Sequence, residues 1–289
     1  MQTLIEAIKD AEKKEVAIGH FNISDIVALK AIFETAKKLL VPVIIGVSEG
    51  ERNFIGVWQV AALVKSLRDE FQYPVFLNAD HTHSIEAAEA AAYAGFDTVL
   101  FDGSALTVRE NIEQTKLVVR KLKSINRNIL IEAELGRIGT SSEIREGIPE
   151  GAAVKPEDLT KPEEAVSFIR ETGVDLFAPA VGNLHGMMAN APEPALNIKR
   201  VREISQLLRI PLVLHGGSGN ADADFTAAID AGIRIIHINT ELRLAWKKGL
   251  DKALAAYPAE IAPYKILPDV VSEIGNVVQR RLKLFNKLV

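Results

Sequence analysis

The chain has no cysteine. Disulfides, thiolate zinc sites and cysteine nucleophiles are excluded together, and cysteine usage leaves the redox compartment open. No apolar run reaches the roughly 20 residues that a membrane-spanning helix needs. The stretch from Met1 to Lys14 carries Glu6, Asp10 and Glu12 among its apolar residues, unlike a signal or transit peptide. Strong charge of either sign is also missing. A net charge of −4 argues against a nucleic-acid binder, which presents a basic face. Low-complexity segments and composition shifts that mark a domain boundary are absent. The expectation is a cytoplasmic enzyme with neither a nucleic-acid nor a membrane partner.

What is present is a folded core and a strict alternation. Apolar residues make up 48% of the chain and charged residues 25%, a balance that supports a sizeable interior. Eight short apolar segments recur, at 16–21, 41–47, 75–79, 97–101, 128–134, 175–181, 211–215 and 233–238. Helical patterns separate them, at 25–39, 57–70, 84–94, 108–125, 162–172, 198–208 and 222–231. Repeated strand–helix units demand parallel strands, because each crossover returns the chain to the same edge. Eight of them predict an α/β chain folded as a single (β/α)8 TIM barrel over residues 1–289. Leu4, Ile5, Ile8 and Ala11 add an N-terminal helix that closes the barrel bottom, and 241–254 and 268–288 add C-terminal helices. Residues 136–159, rich in Gly, Ser and Glu, read as a long mobile loop after the fifth strand. Trp58 and Trp246 read as packing residues, and the cations between Arg280 and Lys287 as a solvated helix face.

Chemistry in such barrels sits at the C-terminal ends of the strands. Those ends carry Asn22, Ser48, Asp80-His81, Asp102, Glu132 and Glu134, His185, His215, and His237 to Thr240. A regular strand would send Asp80 and His81 to opposite faces; a strand that stops there lets both turn into one pocket. Taken singly, His20, His83 and His237 are accounted for by a structural role. His81, His185 and His215 together make a three-histidine rim suited to a catalytic zinc with an open position. The turn Gly216-Gly217-Ser218-Gly219 follows the seventh strand and Asn239-Thr240 the eighth, where barrels commonly bind phosphate. No predicted strand contains lysine, which disfavours a Schiff-base route.

These pieces resemble the class II, metal-dependent ketose-bisphosphate aldolases, the family of fructose- and tagatose-bisphosphate aldolases. The matching segments are Gly-His-Phe-Asn-Ile from Gly19, Pro-Val-Ile-Ile-Gly-Val-Ser-Glu-Gly from Pro42, Asp80-His81, Phe-Asp-Gly-Ser from Phe101, Glu-Ala-Glu-Leu-Gly from Glu132, Gly-Asn-Leu-His-Gly from Gly182, the run from Pro211 to Gly219, and Asn-Thr-Glu-Leu from Asn239. The resemblance implies that His81, His185 and His215 hold a catalytic Zn2+ and that Asp80 transfers the proton. It places Asp102 and Glu134 at an alternate or second metal position. Gly186, Gly216, Gly217, Ser218, Asn239 and Thr240 match the phosphate turns, with a monovalent cation (Na+ or K+) beside them. Asn22 and Ser48 lie near the rest of the substrate, and Glu143 is the candidate acid on the loop.

The chemistry agrees with this assignment. Breaking a carbon–carbon bond beside a ketone leaves a charge that a bound divalent cation stabilises. A carboxylate such as Asp80 then removes and returns the hydroxyl proton. The expected activity is reversible cleavage of a ketose 1,6-bisphosphate, fructose first and tagatose second, to dihydroxyacetone phosphate and an aldehyde, by a homodimer or larger homo-oligomer. Departures from the family are Ala105 where His is common, His237 where Asn is usual at the start of the strand-eight motif and where it is the candidate replacement donor to the substrate, and no lysine between Met187 and Ala191. They keep two alternatives open: a metal-dependent hydrolase or isomerase of another sugar phosphate, and a catalytically weakened sugar-phosphate-binding paralogue.

Overall fold

The computed structural model describes residues 2–139, 142–148 and 154–289. Eight parallel strands close into a barrel: β1 (Ile18–Asn22), β2 (Val43–Val47), β3 (Val75–Thr82), β4 (Thr98–Phe101), β5 (Leu130–Leu135), β6 (Leu176–Pro179), β7 (Leu212–Leu214) and β8 (Ile233–Ile238). Each strand pairs with its sequence neighbours, and β1 pairs with β8 to close the ring. The expected (β/α)8 architecture is therefore present. Helix boundaries follow the apolar periodicity closely, with 108–125, 162–172 and 222–231 coinciding with observed helices.

The helix Leu4–Lys13 starts on a capping box between Thr3 and Glu6. It buries Leu4, Ala7, Ile8 and Ala11 against Ile18, Ile44, Phe76, Leu130, Leu176, Val213 and Ile235, which are the inward residues of the strands' lower halves. The bottom of the barrel is thus an apolar plug. Strand side chains alternate with period two, so the next inward layer is set by residues two positions on. That layer holds His20, Glu132, His215 and His237. One step along the strands turns the interior from aliphatic to ionisable, and this change of layer positions the site.

Five expectations need correction. The third strand does not stop at Ala79; it runs on to Thr82. A short helix, Glu49–Ile55, which apolar periodicity does not mark, follows β2. Trp58 is 60% exposed rather than packed, because it lies on the outer face of the helix Val57–Phe71. Arg281 is buried at 4% exposure, paired bidentately with Glu241 and also with Asp222, so its stretch is not a uniformly solvated face. The segment 136–159 is partly ordered: Ile144–Arg145 pairs in parallel with Met187–Met188, while 140–141 and 149–153 lie outside the described residues.

Candidate active site

Asp80 and His81 share a pocket because β3 is bulged. Between Ala79 and Thr82 the strand advances three residues while β4 advances two, from Val99 to Phe101. The extra residue is absorbed with His81 at φ 41°, in the left-handed region. A bulge re-aims side chains without ending the strand. This replaces the expected strand end as the reason two adjacent residues face one cavity.

That cavity, about 310 Å³, opens at the C-terminal ends of the strands. Its walls include Asn22, Ser48, Asp80, His81, Asp102, Glu143, His185, Gly186, Gly216, Gly217, Ser218, His237, Asn239 and Thr240. Glu134 and His215 lie beneath, fully buried. Ala105, by contrast, is exposed and does not line the cavity. Of the family departures in side-chain identity, His237 is the one that reaches the site.

Ligand atoms of His81, Glu134, His185 and His215 all lie within 4.8 Å of one another. Tetrahedral ligands about 2.1 Å from a zinc ion stand roughly 3.4 Å apart, so a modest contraction closes the set on one cation. Two buried atoms of this group, His185 Nε2 and Glu134 Oε1, have no hydrogen-bond partner among the described residues. Orphaned buried acceptors beside two further imidazoles are what a cation-binding cluster presents in its metal-free form. The donor set fits a divalent ion.

The neighbours of this set fix its orientation. His81 Nδ1 lies 2.7 Å from Asp102 Oδ2. His215 Nε2 lies 2.7 Å from Glu132 Oε1 and its Nδ1 2.9 Å from Glu134 Oε2. Asp102 stands one step behind His81 and is outside the converging group, in the manner of a carboxylate that orients a metal-ligating imidazole. Glu132 does the same for His215. Burial pushes the His81 imidazole down, and Asp80 and Asp102 outweigh it, lifting the group to about 9. Burial likewise lowers His215, but Glu132 and Glu134 hold it well above its ordinary value. His185 lacks such carboxylates, and burial with the neighbouring His81 and His215 holds it well below. Bringing a cation in displaces the protons that these carboxylates now favour.

Asp80 is buried, and burial alone raises a carboxyl. The imidazoles of His81, His237 and His20 overcome this and hold it well below the usual carboxylate range. Its Oδ2 accepts from Asn22 Nδ2 at 2.9 Å, and its Oδ1 lies 3.4 Å from His237 Nδ1. Asn22 Nδ2 also donates to Glu51 Oε2 at 2.9 Å, so the buried Glu51 sets which way the amide faces. Glu132, named at the fifth strand's end but given no role there, is placed against His215. Glu51 is a site residue that sequence reasoning passed over, and no pattern along the chain signals it.

His20 is not a satisfied structural histidine. It is fully buried with both ring nitrogens unpartnered among the described residues, and burial takes it down to about 4. Its ring stacks on His237 at 3.4 Å with 3° between planes. His20, Asp80 and His237 also bring ligand atoms within 4.8 Å. Parallel rings cannot share an ion, however, since it would sit up to half of 3.4 Å, about 1.7 Å, out of each plane when imidazole ligates in-plane. The stack is a packing arrangement that carries His237 against Asp80.

The turns after β7 and β8, expected to bind phosphate, are knitted together. Ser218 Oγ accepts from the backbone N–H groups of Asn239 and Glu241, and the helix Thr240–Ala256 begins there, with Asn239 and Thr240 at the cavity wall. Gly216, at φ 57°, has a further reason to be glycine: a Cβ would stand 2.4 Å from the Leu184 carbonyl. The close approach packs the loop bearing His185 against the turn bearing His215. Glu143 is on the rim, its carbonyl accepting from the Met187 N–H.

The protein-family model for class-II fructose-bisphosphate aldolase matches residues 2–288. The chain is 34% identical over 286 residues to a probable fructose-bisphosphate aldolase of Bacillus subtilis strain 168, covering 98% of this chain and 96% of that one. It is 35% identical over 283 residues to the 6-phospho-5-dehydro-2-deoxy-D-gluconate aldolase of Shouchella clausii, covering 96% and 92%. The crystal structure of the YdjI aldolase of Escherichia coli K12 superposes with a TM-score of 0.81 at 29% identity, covering 99% and 97%. With a closed barrel, a histidine cluster at its C-terminal rim and matches over its whole length, the chain belongs to the class-II fructose-bisphosphate aldolase family, whose members are metal-dependent lyases.

Proposed function

We propose that this aldolase uses zinc and reversibly cleaves a ketose 1,6-bisphosphate to dihydroxyacetone phosphate and an aldehyde such as glyceraldehyde 3-phosphate. Fructose 1,6-bisphosphate is the first substrate to try and tagatose 1,6-bisphosphate the second. The observation that carries the proposal is the convergence of His81, Glu134, His185 and His215 at the wall and floor of the cavity lined by Asp80 and by the turns after the seventh and eighth strands.

His81, His185 and His215, with Glu134 beside them, would hold the ion, and a divalent cation there supplies Lewis acidity at the ketone oxygen. Asp80, ionised and steadied by Asn22, accepts the C4 hydroxyl proton as the C3–C4 bond breaks and returns it on condensation. Gly186, the turn from Gly216 to Ser218, Asn239 and Thr240 take the phosphate next to the ketone, and this anchoring sets the reacting carbon against Asp80. Ser48 contacts the remaining part of the sugar, and Glu143 is the acid at the rim. A Na+ or K+ ion beside the phosphate and assembly as a homodimer or larger belong to the same proposal. The exposed Phe54 and Trp58 side chains support the assembly.

The test is triose phosphate release across a panel of phosphorylated ketoses, before and after chelation. Loss of cleavage with EDTA and its return with Zn2+ is the expected result. Cleavage that survives thorough chelation removes the metal from the proposal. Product without triose phosphate points to a hydrolase or isomerase, and binding without turnover of any ketose points to a weakened paralogue.

A further inference from the structure

Arg52 is a buried cation to which the chemistry above gives no task. It sits at 3% exposure on the helix Glu49–Ile55. Its guanidinium reaches across two strand ends: Nη1 donates to the Val47 carbonyl at 2.5 Å and to the Asp80 carbonyl at 2.9 Å, and Nη2 donates to Thr82 Oγ1 at 3.0 Å. Removing a guanidinium from water is costly unless its donors are used, so a buried arginine with three directed bonds is a constrained feature.

Where those bonds land is informative. The ladder between β2 and β3 ends at the pair Val47 and Ala79. Just beyond it the bulge lifts Asp80 and His81 out of register with β4. A buried carbonyl released from a ladder needs another donor, and Arg52 supplies one to Asp80. Thr82, the residue where pairing with β4 resumes, is held by the same guanidinium and donates its own hydroxyl to the Ala79 carbonyl at 3.1 Å. Arg52 therefore grips the chain on both sides of His81, the residue forced to φ 41°. Left-handed backbone at a non-glycine residue persists only where its surroundings over-determine it.

We infer that Arg52 is a positioning residue: it fixes the β3 bulge, and through it aims Asp80 at the substrate and His81 at the cation. Its kinetic consequences rest on the aldolase reading; its structural consequence does not. Lysine cannot replace it, because one ammonium cannot span two carbonyls and a hydroxyl in a planar fork.

The experiment compares wild type with Arg52→Lys, Arg52→Ala and Thr82→Val in the full chain, with far-UV circular dichroism and thermal midpoint as folding controls. Amide exchange in the metal-free protein is expected to rise about tenfold at residues 79–83 of Arg52→Lys, with 75–77 unchanged. Co2+ affinity, followed by the visible absorption of the bound ion, is expected to fall about tenfold or more. With the best ketose phosphate, kcat should drop on the order of 100-fold while KM moves little, since a misaimed base costs turnover rather than binding. Millimolar guanidinium should restore part of kcat in Arg52→Ala and none in wild type. A folded Arg52→Lys that matches wild type in exchange, Co2+ affinity and kcat overturns the inference. Should Arg52→Lys fail to fold, Thr82→Val decides: smaller shifts in the same three readings support it, and none overturns it. If the wild type cleaves no ketose phosphate, the aldolase reading fails, and exchange and Co2+ affinity still decide Arg52.

Discussion

The Nδ1 atom of His81 lies 2.7 Å from Oδ2 of Asp102, which leaves Nε2 as the nitrogen free to face a cation. Asp102 is itself held by the Ser104 N–H on Oδ1 at 3.0 Å, so the carboxylate is a fixed post rather than a mobile counter-ion. Asp102→Asn preserves shape and removes the charge that selects the tautomer. Metal affinity, measured by competition with a chromogenic chelator, is expected to fall by about 10- to 100-fold with the fold intact. Unchanged affinity would show that His81 needs no orienting carboxylate.

Asp80→Asn isolates the proton transfer. The amide keeps the bond pattern to Asn22 and the neighbourhood of His237, but it cannot take a proton. Turnover is expected to drop by about 10²- to 10⁴-fold, while Zn2+ content and equilibrium binding of a non-cleavable ketose phosphate stay near wild type. Normal turnover would remove Asp80 from the role of base.

The turn from Gly216 to Gly219, proposed to take the phosphate, is tethered to the last helix. Glu241 Oε1 accepts from the Gly219 N–H at 3.1 Å and from Arg281 Nη2 at 2.6 Å, and its Oε2 accepts from Arg281 Nε at 3.0 Å. Arg281→Leu leaves a buried carboxylate with Arg280 as its remaining cation. The expected cost is about 3 kcal/mol in a denaturant titration. KM for the phosphorylated substrate should rise as the turn from Gly216 to Gly219 loosens. A stable variant with unaltered KM would show that the turn holds without this tether.

The barrel and its rim were readable because both depend on patterns along the chain. Eight apolar segments separated by helical periods imply the closed sheet, and His81, His185 and His215 sit where those segments end. What was not readable depends on contacts between distant segments. The β3 bulge is one residue of slippage against β4, and nothing within the run from Val75 to Thr82 announces it. Arg281 looks like any cation on an amphipathic helix until Glu241, 40 residues away, is packed against it. Glu51 looks like an exposed acid near a helix start, yet it is buried between Asn22 and Arg243. Trp58 misled for the opposite reason, since an aromatic in a helical run reads as core even when its face is outward.

Gly46 tests whether the histidine stack matters to the site. It lies on β2, beside the His20 ring of the neighbouring β1, and a Cβ there would stand 2.1 Å from His20 Cε1 and 2.5 Å from Nε2. His20 has no free side to retreat to, because its ring is fully buried and stacked at 3.4 Å on His237. His237 in turn lies 4.2 Å from His215 between ring centres, and its Nδ1 is 3.4 Å from Asp80. Gly46→Ala therefore pushes through the His20 and His237 rings toward His215 and Asp80 together. Overpacking of this kind costs about 1–3 kcal/mol, read from the denaturation midpoint, and kcat should fall with it. Adding His20→Ala makes room for the methyl group and should recover much of the stability. A Gly46→Ala variant as stable and active as wild type would mean that His20 turns freely and the stack transmits nothing.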